Sequence, residues 1–179
     1  MATTAQTLNE LDDEPRHFPD CCAGISKPLL ATLRDRLPPS PNMVLSVGSG
    51  CGLLEALLLH VAGDSLNLYG VEVPSCANKH LPPDRLIRVS GTTALHSDAI
   101  LASSLMFVYP RQPDLVAAYL DAAMGGALEQ VVWIGHRNDW AEYEGLLQTH
   151  FHKIELVAES GMPSYELLVT ATLPVSSAG

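Results

Sequence analysis

Near its end the chain reads HKIELVAE (152–159) and then SYELLVTATL (164–173), two strand-like runs separated only by SGMP. Four residues cannot hold the dozen or more that a parallel crossover requires, so these runs must pair antiparallel as a hairpin. Everything before them alternates instead. SKPLLATLRDRL (26–37) puts Leu29, Leu30, Leu33 and Leu37 on one helical face, with Ser26 placed to cap it and Pro28 tolerated in its first turn. MVLSV (43–47) suits a buried strand, and GLLEALLLHVAG (52–63) a helix ended by Gly63. SLNLYGVEV (65–73) and DRLIRVS (84–90) follow as strands, TALHSDAILAS (93–103) as a helix and LMFVYP (105–110) as a strand stopped by proline. PDLVAAYLDAAM (113–124), EQVVWIGH (129–136) and NDWAEYEGLLQTHF (138–151) read as helix, strand and helix. Such alternation predicts a mostly parallel sheet covered on both faces, here of seven strands with an antiparallel ending.

The 179 residues, 47% of them hydrophobic, suffice for one domain, which the pattern places at 21–173. A net charge of −10, from 20 acidic and 10 basic residues, disfavours nucleic acid and anionic membrane as partners, because both are held through clustered Lys and Arg. Residues 10–20, ELDDEPRHFPD, set five carboxylates against Arg16, so the expectation for 1–20 is a solvated, flexible arm; the 174–179 tail, PVSSAG, is expected to be unstructured. No stretch approaches the length of a membrane span and no basic segment leads into an apolar core at the start, which predicts a soluble, cytoplasmic protein. Cys21, Cys22, Cys51 and Cys76 show no disulfide framework and no CxxC metal pair, and the adjacent Cys21 and Cys22 are expected to be buried structural residues.

The first strand runs into glycines at alternate positions, VLSVGSGCG (44–52). At the carboxyl end of a parallel strand, glycines let the main chain approach a ligand and aim the next helix's N-terminal amides into the site. A dinucleotide fingerprint would place a third glycine where this chain has Leu53, which argues against a nicotinamide oxidoreductase. The pattern G-x-G-x-G, preceded by VLSV and followed by an apolar helix, instead resembles motif I of the class I S-adenosylmethionine-dependent methyltransferases. The resemblance covers roughly residues 43–173 and implies a three-layer α/β/α Rossmann-like fold with strand order 3-2-1-4-5-7-6. It also implies S-adenosylmethionine as cofactor, S-adenosylhomocysteine as product and no metal. By the same resemblance Gly48, Ser49, Gly50 and Gly52 cradle the cofactor, and Glu72, twenty residues beyond Gly52 at the end of the second strand and followed by Val73, grips its ribose. Two positions depart from the family. Ser46 stands where an acid usually orients the glycine loop, and Thr92 or Thr93 where an acid often meets the adenine amino group; these threonines could equally cap the helix expected from residue 93.

Methyl transfer from a sulfonium needs the acceptor held in line and water kept out; a base is required only when the acceptor must lose a proton. The fourth strand ends in FVYPRQP, lacking the Asn-Pro-Pro-Tyr type loop of the family's amino-methylating members. Tyr109 could line the methyl pocket and Arg111 clamp a carboxylate, or the pair could be a wedge and a surface cation. His136, ending the fifth strand, is a candidate base; His17 is a lesser one should the arm fold over the site. Phe107 and Trp133 read as core. With only residues 1–42 ahead of the first strand and short connections after it, the pocket should be shallow, or closed by a second copy in a homodimer or by a partner protein. The expectation is a methyltransferase for a small organic acceptor; the alternative is such a domain turned to cofactor-assisted cyclisation or isomerisation, or to a non-catalytic partner role.

Overall fold

The computed structural model describes residues 3–19 and 21–174; Met1, Ala2, Asp20 and residues 175–179, and with them most of the tail expected to be unstructured, lie outside the described residues. The elements are α1 (Thr4–Glu10), α2 (Lys27–Arg36), β1 (Met43–Val47), α3 (Leu53–Ala62), β2 (Asn67–Glu72), β3 (Leu86–Arg88), β4 (Ala102–Val108), α4 (Pro113–Ala123), β5 (Gln130–His136), α5 (Trp140–His150), β6 (Lys153–Leu156) and β7 (Glu166–Thr172). The strands form one sheet in the order β3-β2-β1-β4-β5-β7-β6. β1 to β5 pair in parallel, and β7 runs antiparallel to both β5 and β6, as the short SGMP link requires.

Alternation along each strand divides the apolar residues between two cores. Val44, Leu68, Met106, Val132 and Leu168 pack with Leu29, Leu30 and Leu33 of α2 and with the leucines of α3. Leu45, Phe107, Trp133 and Val169 point the other way, against Val116 and Tyr119 of α4 and Trp140 and Tyr143 of α5. Phe107 and Trp133 are core, as their strand positions predict. α2 starts at its expected cap: Ser26 Oγ accepts from the Leu29 amide at 3.1 Å and donates to the Gly161 carbonyl at 2.6 Å, tying the helix to the β6–β7 loop.

Three expectations need correction. The acidic N-terminal segment is built into the fold. α1 opens with a capping box between Thr3 and Gln6, and Leu11 is 2% exposed. Arg16 and Ile25 exchange main-chain hydrogen bonds of 2.9 and 2.8 Å. The carboxylates that suggested a solvated arm alternate with Leu8, Leu11 and Phe18, which pack onto the α2–α3 core. Second, no α-helix spans 93–103: a turn at Gly91–Ala94 leads to a 3-10 helix over Ser97–Leu101, and β4 begins at Ala102. The apolar residues that suggested a helix, Ile100 and Leu101, are 50% and 60% exposed, whereas the small residues Ala102, Ser103 and Ser104 are buried between strands. Thr92 and Thr93 therefore cap nothing. Third, Cys22 is exposed and Cys21 half-buried; Cys51 alone of the three fits the structural role. Among the described residues no helix is long and apolar enough to cross a membrane.

α3 is apolar nearly all round because segments pack on it from several sides, and Leu57 at its centre is fully buried. Leu57→Ala should lower the unfolding free energy by about 2–5 kcal/mol. Urea denaturation followed by circular dichroism measures this; an unshifted midpoint would contradict the packing described.

Candidate functional site

β1 passes directly into the glycine turn, whose Gly48, Gly50 and Gly52 have φ of 77°, 59° and 79°. These left-handed values exclude most side chains by sterics alone. A Cβ on Gly48 or Gly50 would meet nothing within 4 Å, so the turn's outer side is open; one on Gly52 would lie 2.6 Å from Leu81 Cβ and 2.8 Å from Asn78 Oδ1. Gly52 thus admits the irregular 74–82 segment against the start of α3, where Leu81 is buried.

The turn is held to β2 at several points. The Gly48 and Ser49 amides donate to the Val71 carbonyl at 2.8 and 3.2 Å. Glu72 Oε2 accepts from the Gly50 amide and Oε1 from the Val73 amide, both at 2.8 Å. Each oxygen keeps acceptor capacity toward the open side, since a carboxylate has about four lone-pair sites. Ser49 packs over Gly70, and its Oγ is buried with no hydrogen-bond partner.

Beneath the turn, Ser46 is fully buried and donates its hydroxyl to Glu55 Oε1 at 2.5 Å. Glu55, in the first turn of α3, is 2% exposed. The carboxyl that the strand lacks at Ser46 is therefore supplied by the helix opposite. Burial is the main cause that pushes the Glu55 carboxyl up to about 7; the Ser46 hydroxyl and Glu55's own amide oppose this, and the nearby Glu72 charge adds to it. The half-buried Cys21 thiol also lies near Glu55, and burial with that carboxylate pushes it up to about 12.

The second group of residues gathers where β4, β5 and β7 present their ends. Tyr109, just past β4, has φ of 50°, a strained value for a bulky residue, held by its amide donating to the Ile134 carbonyl at 2.6 Å. Its hydroxyl donates to Glu166 Oε1 at 2.7 Å. Burial, then that hydrogen bond and the Glu166 charge, hold the Tyr109 phenol well above its ordinary range, so it stays protonated and acts as a donor. Glu166 is 3% exposed, stands opposite His136 in the β5–β7 register and also accepts from the Gly24 amide, at 3.3 and 3.1 Å to its two oxygens. His17 Nε2 lies 3.7 Å from Glu166 Oε1 and 2.7 Å from the Tyr165 hydroxyl. The Tyr165 ring stacks on both His17 and His136. His136 Nδ1 accepts from the Asn138 amide at 3.1 Å, which places the neutral ring's proton on Nε2 and leaves no free acceptor nitrogen for the base role foreseen from sequence.

The structure places Ser46, Gly48, Ser49, Gly50, Gly52, Glu72 and Val73 around one turn, and links Tyr109 to Glu166, the register partner of His136. Arg111 is exposed and lines a hollow of about 290 Å³ together with Tyr109, Pro110, Asp139, Glu142 and Tyr143. Thr92 and Thr93 are exposed after β3. Sequence reasoning missed Glu55, Tyr165 and Glu166. Glu55 carried a usable signal, being the one carboxylate in the otherwise apolar GLLEALLLHVAG, whereas Tyr165 and Glu166 carried none before the hairpin's register was known. The N-terminal loop closed by Arg16 and Ile25 runs from Glu55, through Cys21, to Glu166, through Gly24. Among the described residues no group of three or more His, Cys, Asp or Glu is placed to hold a metal ion.

Glu55 yields a pH prediction. Its proton is held more tightly in the folded protein than in the unfolded chain, where the carboxyl titrates near 4.5. Folded-state stability therefore falls as pH rises from about 4.5 to about 7 and loses nothing further above that, an effect of about 3 kcal/mol. Glu55→Gln, which keeps an acceptor for Ser46, should remove that part of the slope, so denaturation midpoints of wild type and variant diverge with rising pH. Parallel pH profiles would refute the assignment.

No protein-family model matches the sequence, and neither does any curated protein sequence. Solved structures do. A SAM-dependent methyltransferase from Aquifex aeolicus aligns with a TM-score of 0.61 at 13% identity, over 82% of this chain and 89% of its own. The methyltransferase SibL in its apo form aligns at 0.55 and 15% identity, over 83% of this chain and 55% of its own. The T. thermophilus 16S rRNA N2 G1207 methyltransferase RsmC, in complex with AdoMet and guanosine, aligns at 0.56 and 18% identity, over 88% and 44%. The chain spans about half the length of the latter two. At such identities the likeness is one of architecture, and it agrees with the strand order found here: the chain has the class I S-adenosylmethionine-dependent methyltransferase fold.

Proposed function

We propose that the protein is an S-adenosylmethionine-dependent methyltransferase acting on a small organic acceptor. The observation that carries this reading is the open glycine turn with the Glu72 carboxylate fixed beside it, 2.8 Å from the Gly50 amide. The residues fit an adenosyl group. Space is free above Gly48 and Gly50, and Glu72 has lone pairs left for two ribose hydroxyls. Val73 offers an apolar neighbour for the base, and Thr92 and Thr93 offer exposed hydroxyls at the end of β3. Bound there, the cofactor supplies a methyl group already activated for displacement. The chain then has to hold an acceptor at the ends of β4 and β5, where Tyr109 is locked in place by Glu166 and where His136 and Tyr165 form an aromatic wall. The N-terminal loop is held beside that place by the Gly24 amide bonding Glu166.

One observation favours a second reading. Both Glu72 oxygens already bond main-chain amides, so the turn is satisfied without a ligand, which suits a domain retained as a non-catalytic partner. Calorimetric titration with S-adenosylmethionine separates the two, since a partner subunit gives no heat at millimolar concentration. For the enzyme, Glu72→Ala should weaken binding by about 1.5–3 kcal/mol, roughly 10- to 150-fold in Kd. Unchanged affinity in the variant would remove Glu72 from the site.

A further inference from the structure

Tyr165 lies on the β6–β7 loop, next to Glu166, and its hydroxyl is used by nothing in the reading above. Its ring sits between the imidazoles of His17 and His136, with centroids 6.1 and 5.9 Å apart and planes inclined by 12° and 27°. It is nevertheless 46% exposed. Its hydroxyl and His17 Nε2 are 2.7 Å apart, a short hydrogen bond between a donor-acceptor oxygen and an imidazole nitrogen. With His136 Nδ1 occupied and the Tyr109 proton committed to Glu166, this pair is the proton-accepting couple of the crest.

We propose that Tyr165 and His17 form a proton relay for the acceptor, which makes the substrates hydroxyl or amine compounds rather than acceptors without a proton to lose, such as thioethers. The inference rests on the methyltransferase reading. An acceptor O–H or N–H donates to the Tyr165 oxygen. As the acceptor's lone pair forms its bond to the methyl carbon and the pair of the broken S–C bond stays on sulfur, the acceptor's proton passes to the Tyr165 oxygen and the phenol's own proton passes to His17 Nε2. The former X–H pair remains on the acceptor, and Tyr165 ends as it began. The imidazolium so formed is 3.7 Å from Glu166 Oε1, and His17, 44% exposed at its side chain, returns the proton to water.

The groups facing this couple come from every surrounding element. Glu166 belongs to β7, and Tyr109 reaches it from the end of β4. His136 comes from β5, and Arg137 beside it donates to the Ser164 carbonyl. Arg16, adjacent to His17, is held against the Phe18 ring at 5.7 Å and donates to the Glu10 carbonyl. The exposed Cys22 lies near Tyr109. Of these, only Glu166 sets a carboxylate against His17.

The test compares wild type, Tyr165→Phe and His17→Asn, each shown to be folded by its melting curve. Calorimetry with S-adenosylmethionine checks the underlying reading alone: binding in wild type upholds it, and both variants should bind with unchanged Kd. Phenol and benzylamine serve as protic acceptors, with S-adenosylhomocysteine release as the readout. Wild type should turn over at least one of them, and both variants should lose about 100-fold or more in kcat. In the protein without cofactor, nitrogen-15 spectra should show His17 Nε2 as a hydrogen-bond acceptor whose resonance moves in Tyr165→Phe. The proposal fails if a cofactor-binding wild type methylates neither probe, if His17→Asn keeps the wild-type rate, or if the His17 resonance ignores Tyr165.

Discussion

The Glu72 carboxylate is the contact on which the rest of the site depends. A turn with three left-handed glycines has high conformational entropy when free, and nothing in its own side chains restrains it. Here the restraint comes from β2: the Val71 carbonyl takes two amides of the turn and Glu72 takes a third. Because β1 and β2 are paired in parallel with Ser46 opposite Gly70, the turn inherits its position from the sheet itself. Gly70 is part of the same arrangement, since only a residue without a Cβ leaves room there for Ser49. Preorganisation of this kind lets a ligand bind without first ordering a loop.

A second carboxylate lies on the other side of the turn, and the two repel. Glu55 is buried under the glycines with one hydroxyl partner and no cation, a placement that favours its protonated form near neutral pH. Proton loss there adds a charge next to Glu72, so the ionisation of one acid bears on the electrostatics of the other. Ser46 makes this geometry feasible. An acid at that strand position would face Glu55 directly across a dry gap, whereas a hydroxyl donates into it. The change at Ser46 and the presence of Glu55 are thus one feature distributed over strand and helix.

The fold was legible because its strongest signals are local. Gly63 and Ser26 mark helix ends, the runs of 43–47 and 130–136 are strands in both sequence and structure, and SGMP leaves no topology but a hairpin. The order of the strands came from the resemblance, and the sheet bears it out. What was not legible depends on tertiary packing. Ile100 and Leu101 are apolar yet face solvent, since Ala102–Ser104 must be free to enter the sheet. Acidic residues 10–14 masked the burial of Leu11. The glycine turn and Glu72 were legible from spacing along one strand–turn–helix unit, and Tyr109, His136 and His17 from their places near strand ends and in the N-terminal segment, whereas Tyr165 and Glu166 depended on the register of the hairpin.

One contact also ties the N-terminal segment to the ends of the central strands. Glu166 is a single buried carboxylate that joins three separate pieces: β7, to which it belongs, the end of β4 through Tyr109, and the N-terminal loop through Gly24. The loop is pinched at its base by Arg16 and Ile25, so one internal anchor suffices to fix its position over the sheet. The Gly24 site admits nothing larger, because a Cβ there would come within 2.8 Å of Pro163. Strain stored in Tyr109 is balanced by the same contacts, as its left-handed backbone aims the phenol at Glu166 rather than along the strand. The strained Tyr109, the His17 contact and the anchor of the N-terminal loop therefore share one carboxylate.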